Sequence, residues 1–108
     1  MQFAKPPARV HDPDYLRWVK GLPCAAPRNH SCVGPVEAHH AGERGVGRKA
    51  DDTTAIPLCT LAHRDWHGAT GCFRGWTRET RKAWAWRVIA ETRATIEERK
   101  AGTCTQQG

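Results

Sequence analysis

Four of the six histidines fall into two tight clusters, and their spacing constrains the fold more than any other feature of the chain. His39 and His40 are adjacent, whereas His63 and His67 lie four residues apart. Residues at i and i+4 share one face of a helix, so His63 and His67 are expected to point to the same side. Such a pair facing a further histidine is typical of a divalent-metal site, which leaves the fourth histidine available as a general base. The alternative for each histidine is an ordinary solvated or packed side chain.

Length and charge limit the class of protein. The chain has 108 residues, the size of one domain, and a core this small benefits from a structural metal. Its net charge of +6 favours a polyanionic partner, most commonly nucleic acid, and a merely basic soluble protein is the alternative. No apolar run approaches the roughly 20 residues of a membrane span, and residues 1–14 lack the apolar region of a signal peptide. We therefore expect a cytoplasmic protein without a membrane partner.

The first half of the chain predicts an arm, a helix and a strand. Residues 1–13 are rich in proline and charge, which is typical of an extended arm. A short helix should follow, because Asp12 can cap it, Pro13 is allowed in its first turn and Gly21 can end it. Residues 33–40 are predicted to form a strand that ends in the adjacent histidines.

The second half of the chain predicts one further strand and two helices. The β-branched residues of segment 53–58 favour a short strand, and Thr60 can cap a helix over residues 60–67. A long amphipathic helix is predicted from residue 77 to about 99, with a glycine at position 102 as its stop. Together these elements predict a single α+β domain over residues 14–100, with its core at about 33–68 and a disordered tail over 101–108.

The order of these elements around the histidines resembles that of the HNH endonucleases, whose small core is called the ββα-metal fold or His-Me finger. The resemblance covers about residues 20–75. It is carried by Leu22-Pro23-Cys24, Glu37-Ala38-His39-His40, Gly47-Arg48-Lys49-Ala50-Asp51 and Ile56-Pro57-Leu58-Cys59, which look much like segments of small phage and prophage HNH proteins. It implies a ββα-metal core with a flanking N-terminal helix and a long C-terminal helix, and an activity that hydrolyses phosphodiester bonds of DNA.

The resemblance also implies a role for each histidine. In this family the first histidine of a His-His pair binds the catalytic metal, and the second is the general base. His40 is therefore expected to deprotonate the attacking water, while the divalent ion is bound by His39, His63 and His67. Zinc, nickel, manganese and magnesium are candidates for the ion, and histidine ligands favour the transition metals. The family's middle asparagine falls near Thr54, so the carbonyl or hydroxyl of Thr54 is expected to orient the base.

The cysteines predict a second, structural metal site. Many HNH proteins carry a zinc ion on two Cys-x-x-Cys knuckles, and both knuckles are incomplete here. The resemblance therefore implies a Cys₃His zinc site on four residues, Cys24, His30, Cys32 and Cys59. The same three cysteines without the histidine, a set of buried thiols that has lost its metal, and recruitment of Cys72 are the alternatives. Cys104 is interpreted as a bystander.

Basic residues mark candidate contacts with nucleic acid. Arg44, Arg48 and Lys49 lie in the loop between the two predicted strands, which borders the active site in this architecture, so we expect them to contact phosphates. A solvated loop is the alternative. The basic residues of the C-terminal helix are interpreted as a solvated face, and the five tryptophans as core residues.

Taken together, these features predict a metal-dependent HNH endonuclease that acts on duplex or single-stranded DNA. The competing interpretation is a non-catalytic, zinc-stabilised nucleic-acid-binding module with the same fold. A metal-dependent hydrolase of another substrate is a third possibility, which the positive charge argues against. His40 discriminates between the first two, because a binding module has no need for a titratable histidine beside a metal ligand.

Overall fold

The computed structural model describes residues 11–42 and 51–106. Across these ranges the chain forms three helices and a two-stranded antiparallel sheet, which makes it a small α+β protein. The elements, in chain order, are α1 (Pro13–Lys20), β1 (Val36–His40), β2 (Ala55–Cys59), α2 (Thr60–Gly68) and α3 (Arg78–Gln106). Short 3₁₀ turns precede β2 and follow α2. The predicted order of strand, strand and helix around the histidines is therefore present.

The helix α1 is bounded by the capping residues that predict it. The Asp12 carboxylate accepts a hydrogen bond from the Tyr15 N–H at 3.0 Å, and Gly21 follows the last turn. The apolar side of α1 packs against the sheet and α3. Pro13, which the sequence analysis placed in the arm, is the first helical residue, and residues 1–10 of the predicted arm lie outside the described part of the chain.

The two strands form a hairpin, and the adjacent histidines lie at the end of β1 from which the chain connects to β2. They pair antiparallel, so that His40 at the end of β1 lies opposite Ala55 at the start of β2. The strand predicted over 33–40 is too long, because Gly34 has a φ of +83°, outside the extended region, and pairing starts only at Val36. All five residues of β2 are buried, which makes this strand the centre of the core.

The helix α2 starts directly after β2, with no intervening loop. Its N-cap is Cys59 rather than the predicted Thr60, and the Cys59 Sγ accepts a hydrogen bond from the Ala62 N–H at 3.4 Å. The Thr60 hydroxyl instead donates to a backbone carbonyl just before β1. At the other end Ala69 adopts a left-handed conformation, with φ of 54°. A residue with a Cβ atom adopts this conformation at a cost in free energy, and a glycine at the same position would avoid most of that cost.

The helix α3 is longer than predicted. It continues to Gln106, so the expected stop at Gly102 and the disordered tail over 101–108 are wrong for residues 101–106, and residues 107–108 are not described. Gly102 does not have the positive φ with which glycine usually ends a helix, and one glycine inside a helix costs only about 1 kcal/mol. In the described ranges no helix, including this one of 29 residues, is apolar enough to cross a membrane.

Aromatic side chains fill the space between α2 and α3. The Trp66 ring lies 5.1 Å from that of Phe73 and 5.2 Å from that of Trp84, measured between centroids. All three side chains are buried beneath the sheet and the long helix. Trp86, in contrast, is 40% exposed, so the interpretation of every tryptophan as a core residue is wrong at this position.

Candidate metal centres and the residues around them

Three of the four clustered histidines converge between β1 and α2. His39 leaves the strand toward the helix and is buried, whereas His63 and His67 lie one turn apart on α2. The His39 Nδ1 and His63 Nε2 atoms are 3.0 Å apart, and the ring of His67 lies about 5 Å from both other rings. Each residue offers one ligand atom within 4.8 Å of the others. The structure thus brings together all three residues of the predicted catalytic metal set.

A carboxylate that the sequence analysis did not single out supports this set. Glu37 lies two residues before His39, so both side chains leave the same face of β1. The His63 Nδ1–H donates to Glu37 Oε1 at 2.7 Å, and this hydrogen bond lowers the pKa of the Glu37 carboxyl. The bond fixes the proton on Nδ1 of His63, which leaves the lone pair of Nε2 directed at His39. A carboxylate behind a histidine in this way is a common support of metal ligands.

The chemistry and spacing of the three imidazoles fit a divalent ion. Two nitrogens bound at ~2.05 Å to a tetrahedral ion lie ~3.3 Å apart, which is close to the observed distance of 3.0 Å between His39 and His63. Neutral imidazole is a good ligand for zinc, nickel and other borderline ions. Three protein ligands leave a coordination position for water or substrate, as catalytic sites require. This donor set could therefore hold a metal ion.

His40 lies at the same strand end but faces the other side of the sheet. Successive strand residues alternate, so His40 points away from His39 and toward α1. There its Nε2–H donates to Asp52 Oδ1 at 2.7 Å. Asp52 has no exposed surface, and its other oxygen accepts from the Asp12 N–H at 2.7 Å and lies 3.2 Å from His11 Nδ1. A buried carboxylate thus fixes the orientation and the tautomer of His40.

The expectation that Thr54 orients His40 is wrong. Within the described residues the Thr54 hydroxyl donates to the Asp51 carbonyl at 2.6 Å, and its own carbonyl accepts from the Ala41 N–H at 3.1 Å. These contacts tie the 3₁₀ turn to itself and to the residue after β1. The turn presents Asp52, two residues earlier, to the histidine instead.

The second predicted metal set also converges. His30 Nε2 lies 3.1 Å from the sulfur of Cys59, and the Cys59 N–H donates to the sulfur of Cys24 at 3.3 Å. With Cys32 these residues place four ligand atoms within 4.8 Å of one another. Three sulfurs and one imidazole in this arrangement are typical of structural zinc, so this cluster could hold a metal such as zinc.

The thiols of this cluster differ in acidity. Burial disfavours the thiolate of Cys59, but hydrogen bonds from His30 and the Ala62 N–H outweigh it and lower the pKa of Cys59 to about 6. The hydrogen bond with Cys24, together with desolvation by the neighbouring residues, raises the pKa of the Cys32 thiol to about 11. Thiolates are the form that binds metal, so binding of a cation to this cluster would displace protons, that of Cys32 among them.

The remaining predicted residues lie elsewhere. Cys72 is buried in the aromatic core, where burial raises its pKa, and it is not part of the cysteine cluster. Cys104 lies within α3. Arg44, Arg48 and Lys49, the predicted contacts with phosphates, lie outside the residues that the structure describes.

Two functional candidates, Glu37 and Asp52, were missed by the sequence analysis for different reasons. Strand alternation already placed Glu37 on the face of His39, so that signal was available. Asp52 had no comparable signal, because it reaches His40 through a turn whose geometry depends on tertiary contacts.

Comparisons with known proteins give a family but no activity. The model of a family described as "Protein of unknown function (DUF968)" matches residues 1–79. A stretch of 63 residues is 40% identical to the "Uncharacterized protein YdfU" of Escherichia coli (strain K12). This match covers 55% of the chain but 17% of the relative, so the chain spans about a sixth of the length of that protein. No solved structure matches the chain.

Proposed function

The chain belongs to this DUF968 family, and from that premise we propose that it is a metal-dependent endonuclease that hydrolyses phosphodiester bonds of DNA. The observation that carries the proposal is the convergence of His39, His63 and His67 at the strand end that also bears His40 on a buried carboxylate. This arrangement fits the roles implied by the resemblance to HNH endonucleases, and the positive net charge fits a polyanionic substrate.

The residues divide the chemistry between them. His39, His63 and His67 would hold the divalent ion, and Glu37 would keep His63 in the tautomer that binds it. When bound, the ion would offset negative charge on the scissile phosphate and on the departing 3′ oxygen.

His40 would accept the proton of the attacking water. The hydrogen bond to Asp52 occupies Nε2, so Nδ1 is the nitrogen with a lone pair for that proton. The imidazolium that forms would be stabilised by the Asp52 carboxylate, which cannot move because it is buried and also bonded to Asp12. Because His40 and His39 leave β1 on opposite faces, the substrate phosphate would lie at the end of the strand, where the two faces meet.

The test is a plasmid-nicking assay on wild type and His40→Ala with zinc, nickel, manganese and magnesium supplied in turn. We expect metal-dependent nicking by the wild type, with products that carry a 5′ phosphate and a 3′ hydroxyl. His40→Ala should retain the metal ion and lose ~10²–10⁴ in rate, the usual contribution of a general base. Asp52→Asn keeps the shape of the side chain, and its nicking rate should lie between those of the wild type and His40→Ala.

Two results would contradict the proposal in different ways. Absence of cleavage by the wild type with every metal, together with intact binding of DNA, would favour a non-catalytic nucleic-acid-binding module. Full activity of His40→Ala would show that another group is the base.

A further inference from the structure

A groove lined by basic and aromatic side chains opens beside the end of β1. It has a volume of about 220 Å³ and runs between the start of α3 and the residues that follow the strand. Its walls are formed by Ala41, Gly42, Trp66, Arg78, Arg81, Lys82, Ala85 and Trp86. Ala41 directly follows His40, and Trp66 directly precedes His67. The Trp66 ring also lies 6.0 Å from that of His39, measured between centroids, so the groove adjoins the histidine cluster.

The guanidinium of Arg81 is fixed in this groove by contacts with Trp66. Its guanidinium carbon lies 4.1 Å from the centroid of the Trp66 ring, and one Nη atom donates to the Trp66 carbonyl at 2.7 Å. The other atom, Nη1, is buried and has no hydrogen-bond partner among the described residues. The stacking and the hydrogen bond fix the guanidinium in the wall of the groove, where its positive charge would attract a phosphate.

Trp86 supplies an exposed aromatic face on the same side of α3. Arg78, Lys82 and Trp86 follow at intervals of four residues, so they form one stripe along the helix. Trp86 is 40% exposed, whereas Trp84, two residues earlier, is 8% exposed and belongs to the core. An exposed indole next to cations is a typical stacking platform for an unpaired base.

We propose that this groove binds a single strand of DNA next to the scissile bond, with a phosphate on Arg81 and an unpaired base stacked on Trp86. The inference deepens the proposed function, from which it takes only that the substrate is DNA. A protein partner would explain the exposed tryptophan, but the basic side chains that line the groove favour a polyanion. A paired duplex would supply phosphates but would present no free base face to the indole.

The experiment measures binding of a short fluorescein-labelled thymidine oligonucleotide, and of a blunt duplex of equal length, by fluorescence anisotropy. No divalent metal is added, so that binding is measured separately from cleavage. We expect Trp86→Ala to weaken binding of the single strand ~10-fold, the size expected for one stacked base, and to affect the duplex less. Trp86→Phe, which keeps an aromatic face, should recover most of the loss.

A charge variant and its control test the cationic side of the groove. Arg78→Gln avoids the buried contacts of Arg81 and should weaken binding several-fold while reducing the salt dependence by about one phosphate contact. Arg87→Gln removes the same charge from the same helix, but Arg87 is exposed and lies outside the groove. It should bind the oligonucleotide as the wild type does.

The results separate this inference from the proposed function. Unchanged binding by Trp86→Ala, or an equal loss in Arg78→Gln and Arg87→Gln, would overturn the groove even if the protein nicks plasmid. Absence of binding by the wild type would also overturn it. Selective loss in Trp86→Ala and Arg78→Gln would support the groove, and an accompanying absence of metal-dependent nicking would contradict only the endonuclease.

Discussion

The cysteine cluster includes the residue at the start of α2, and the histidine cluster includes two residues further along the same helix. The two clusters differ in the number of ligand atoms that the protein could supply to a metal ion. The cysteine cluster joins the loop before β1 to the start of α2 with four ligand atoms, enough to close a tetrahedral site. The histidine cluster joins β1 to the middle of α2 with three, which leaves room for a further ligand. From this difference we expect the cluster with four ligand atoms to stabilise the fold and the cluster with three to be able to take part in chemistry.

The surroundings of the two clusters differ in the same sense. In the cysteine cluster the ligands contact one another, and the only buried member, Cys59, belongs to the core. In the histidine cluster His63 donates a hydrogen bond to Glu37, and the neighbouring His40 donates one to Asp52. Oriented imidazoles of this kind are expected where proton position matters. The first cluster should therefore affect stability most when it is changed, and the second should affect metal affinity and activity.

The largest effect is expected from Cys32→Ser. Cys32 is exposed, so in a protein without metal this substitution would change stability by no more than about 0.5 kcal/mol. If the cluster binds zinc, the loss of one thiolate removes a large part of the ~10–16 kcal/mol that such sites contribute, which is comparable to the whole stability of a domain. We expect loss of bound zinc by elemental analysis and a melting temperature more than ~10 °C lower by circular dichroism. Ser31→Ala, at the adjacent exposed position, is the control, and a wild-type melting curve for Cys32→Ser would remove the distinction between the clusters.

The second effect is expected from His67→Ala. Its side chain is exposed, so the melting temperature of the metal-free protein should stay within a few degrees of the wild type. The histidine cluster would keep two ligands and lose most of its affinity, while zinc on the cysteines stays. Elemental analysis should therefore show one metal ion fewer per chain. Unchanged metal content would remove His67 from the ligand set.

A smaller effect is expected from Glu37→Gln, which leaves every ligand in place. Loss of a carboxylate behind a histidine usually lowers metal affinity ~10–100-fold, and a competition titration with a chromogenic chelator would measure it. Glu98→Gln, an exposed position on α3, should leave the affinity unchanged. An affinity equal to that of the wild type would show that Glu37 does not hold His63 for metal binding.

The same variant has a defined dependence on pH. The hydrogen bond from His63 lowers the pKa of Glu37 below its ordinary value of 4.5, so ionised Glu37 stabilises the folded protein at neutral pH. This stabilisation is fully present at a pH above 4.5, and it is lost as the pH falls through the lowered pKa of Glu37 in the folded protein. The difference in melting temperature between wild type and Glu37→Gln should thus be constant at neutral pH and shrink in acid. A difference that grows in acid would contradict this sign.

The smallest effect is expected at the end of α2, which touches neither ligand set. Ala69→Gly should stabilise the protein by about 0.5–1 kcal/mol, because glycine adopts the left-handed conformation of this residue without strain. Thermal unfolding should show a rise of a few degrees with unchanged metal content. Ala83→Gly, on the exposed side of α3, should have the opposite sign, since glycine in a helix costs about 1 kcal/mol. A fall in both variants would show that no strain is relieved at Ala69.

Local signals were sufficient to predict the frame of the molecule. Asp12 and Gly21 bounded α1, and the two histidines four residues apart predicted α2. Both ligand sets followed from residue types at characteristic spacings together with the resemblance to a family. These are properties of short segments, which sequence shows directly. The end of α3 was mispredicted because a glycine stops a helix only if the following chain turns away, and here it does not.

The partners of the histidines were harder to predict, because strand alternation places Glu37 on the face of His39 but does not show that it meets His63. His40 and Asp52 are 12 residues apart, and His63 and Glu37 are 26 residues apart. Which carboxylate meets which imidazole depends on the register of the hairpin and on the 3₁₀ turn, and neither leaves a periodic trace in the sequence. The exposure of Trp86 is of the same kind, because a tryptophan on a long helix is buried or exposed according to what packs beside it.

Cys59 has three tasks at once, since it ends β2, caps α2 and belongs to the cysteine cluster. One substitution at this position would break the cysteine cluster and would also remove the cap of the helix that carries His63 and His67. Loss of the cluster in evolution would have to begin at Cys32 or His30, which have no second task in the described fold, and a new helix cap would have to be in place before Cys59 could change. Among descendants, Cys59 should therefore be the last ligand of its cluster to disappear.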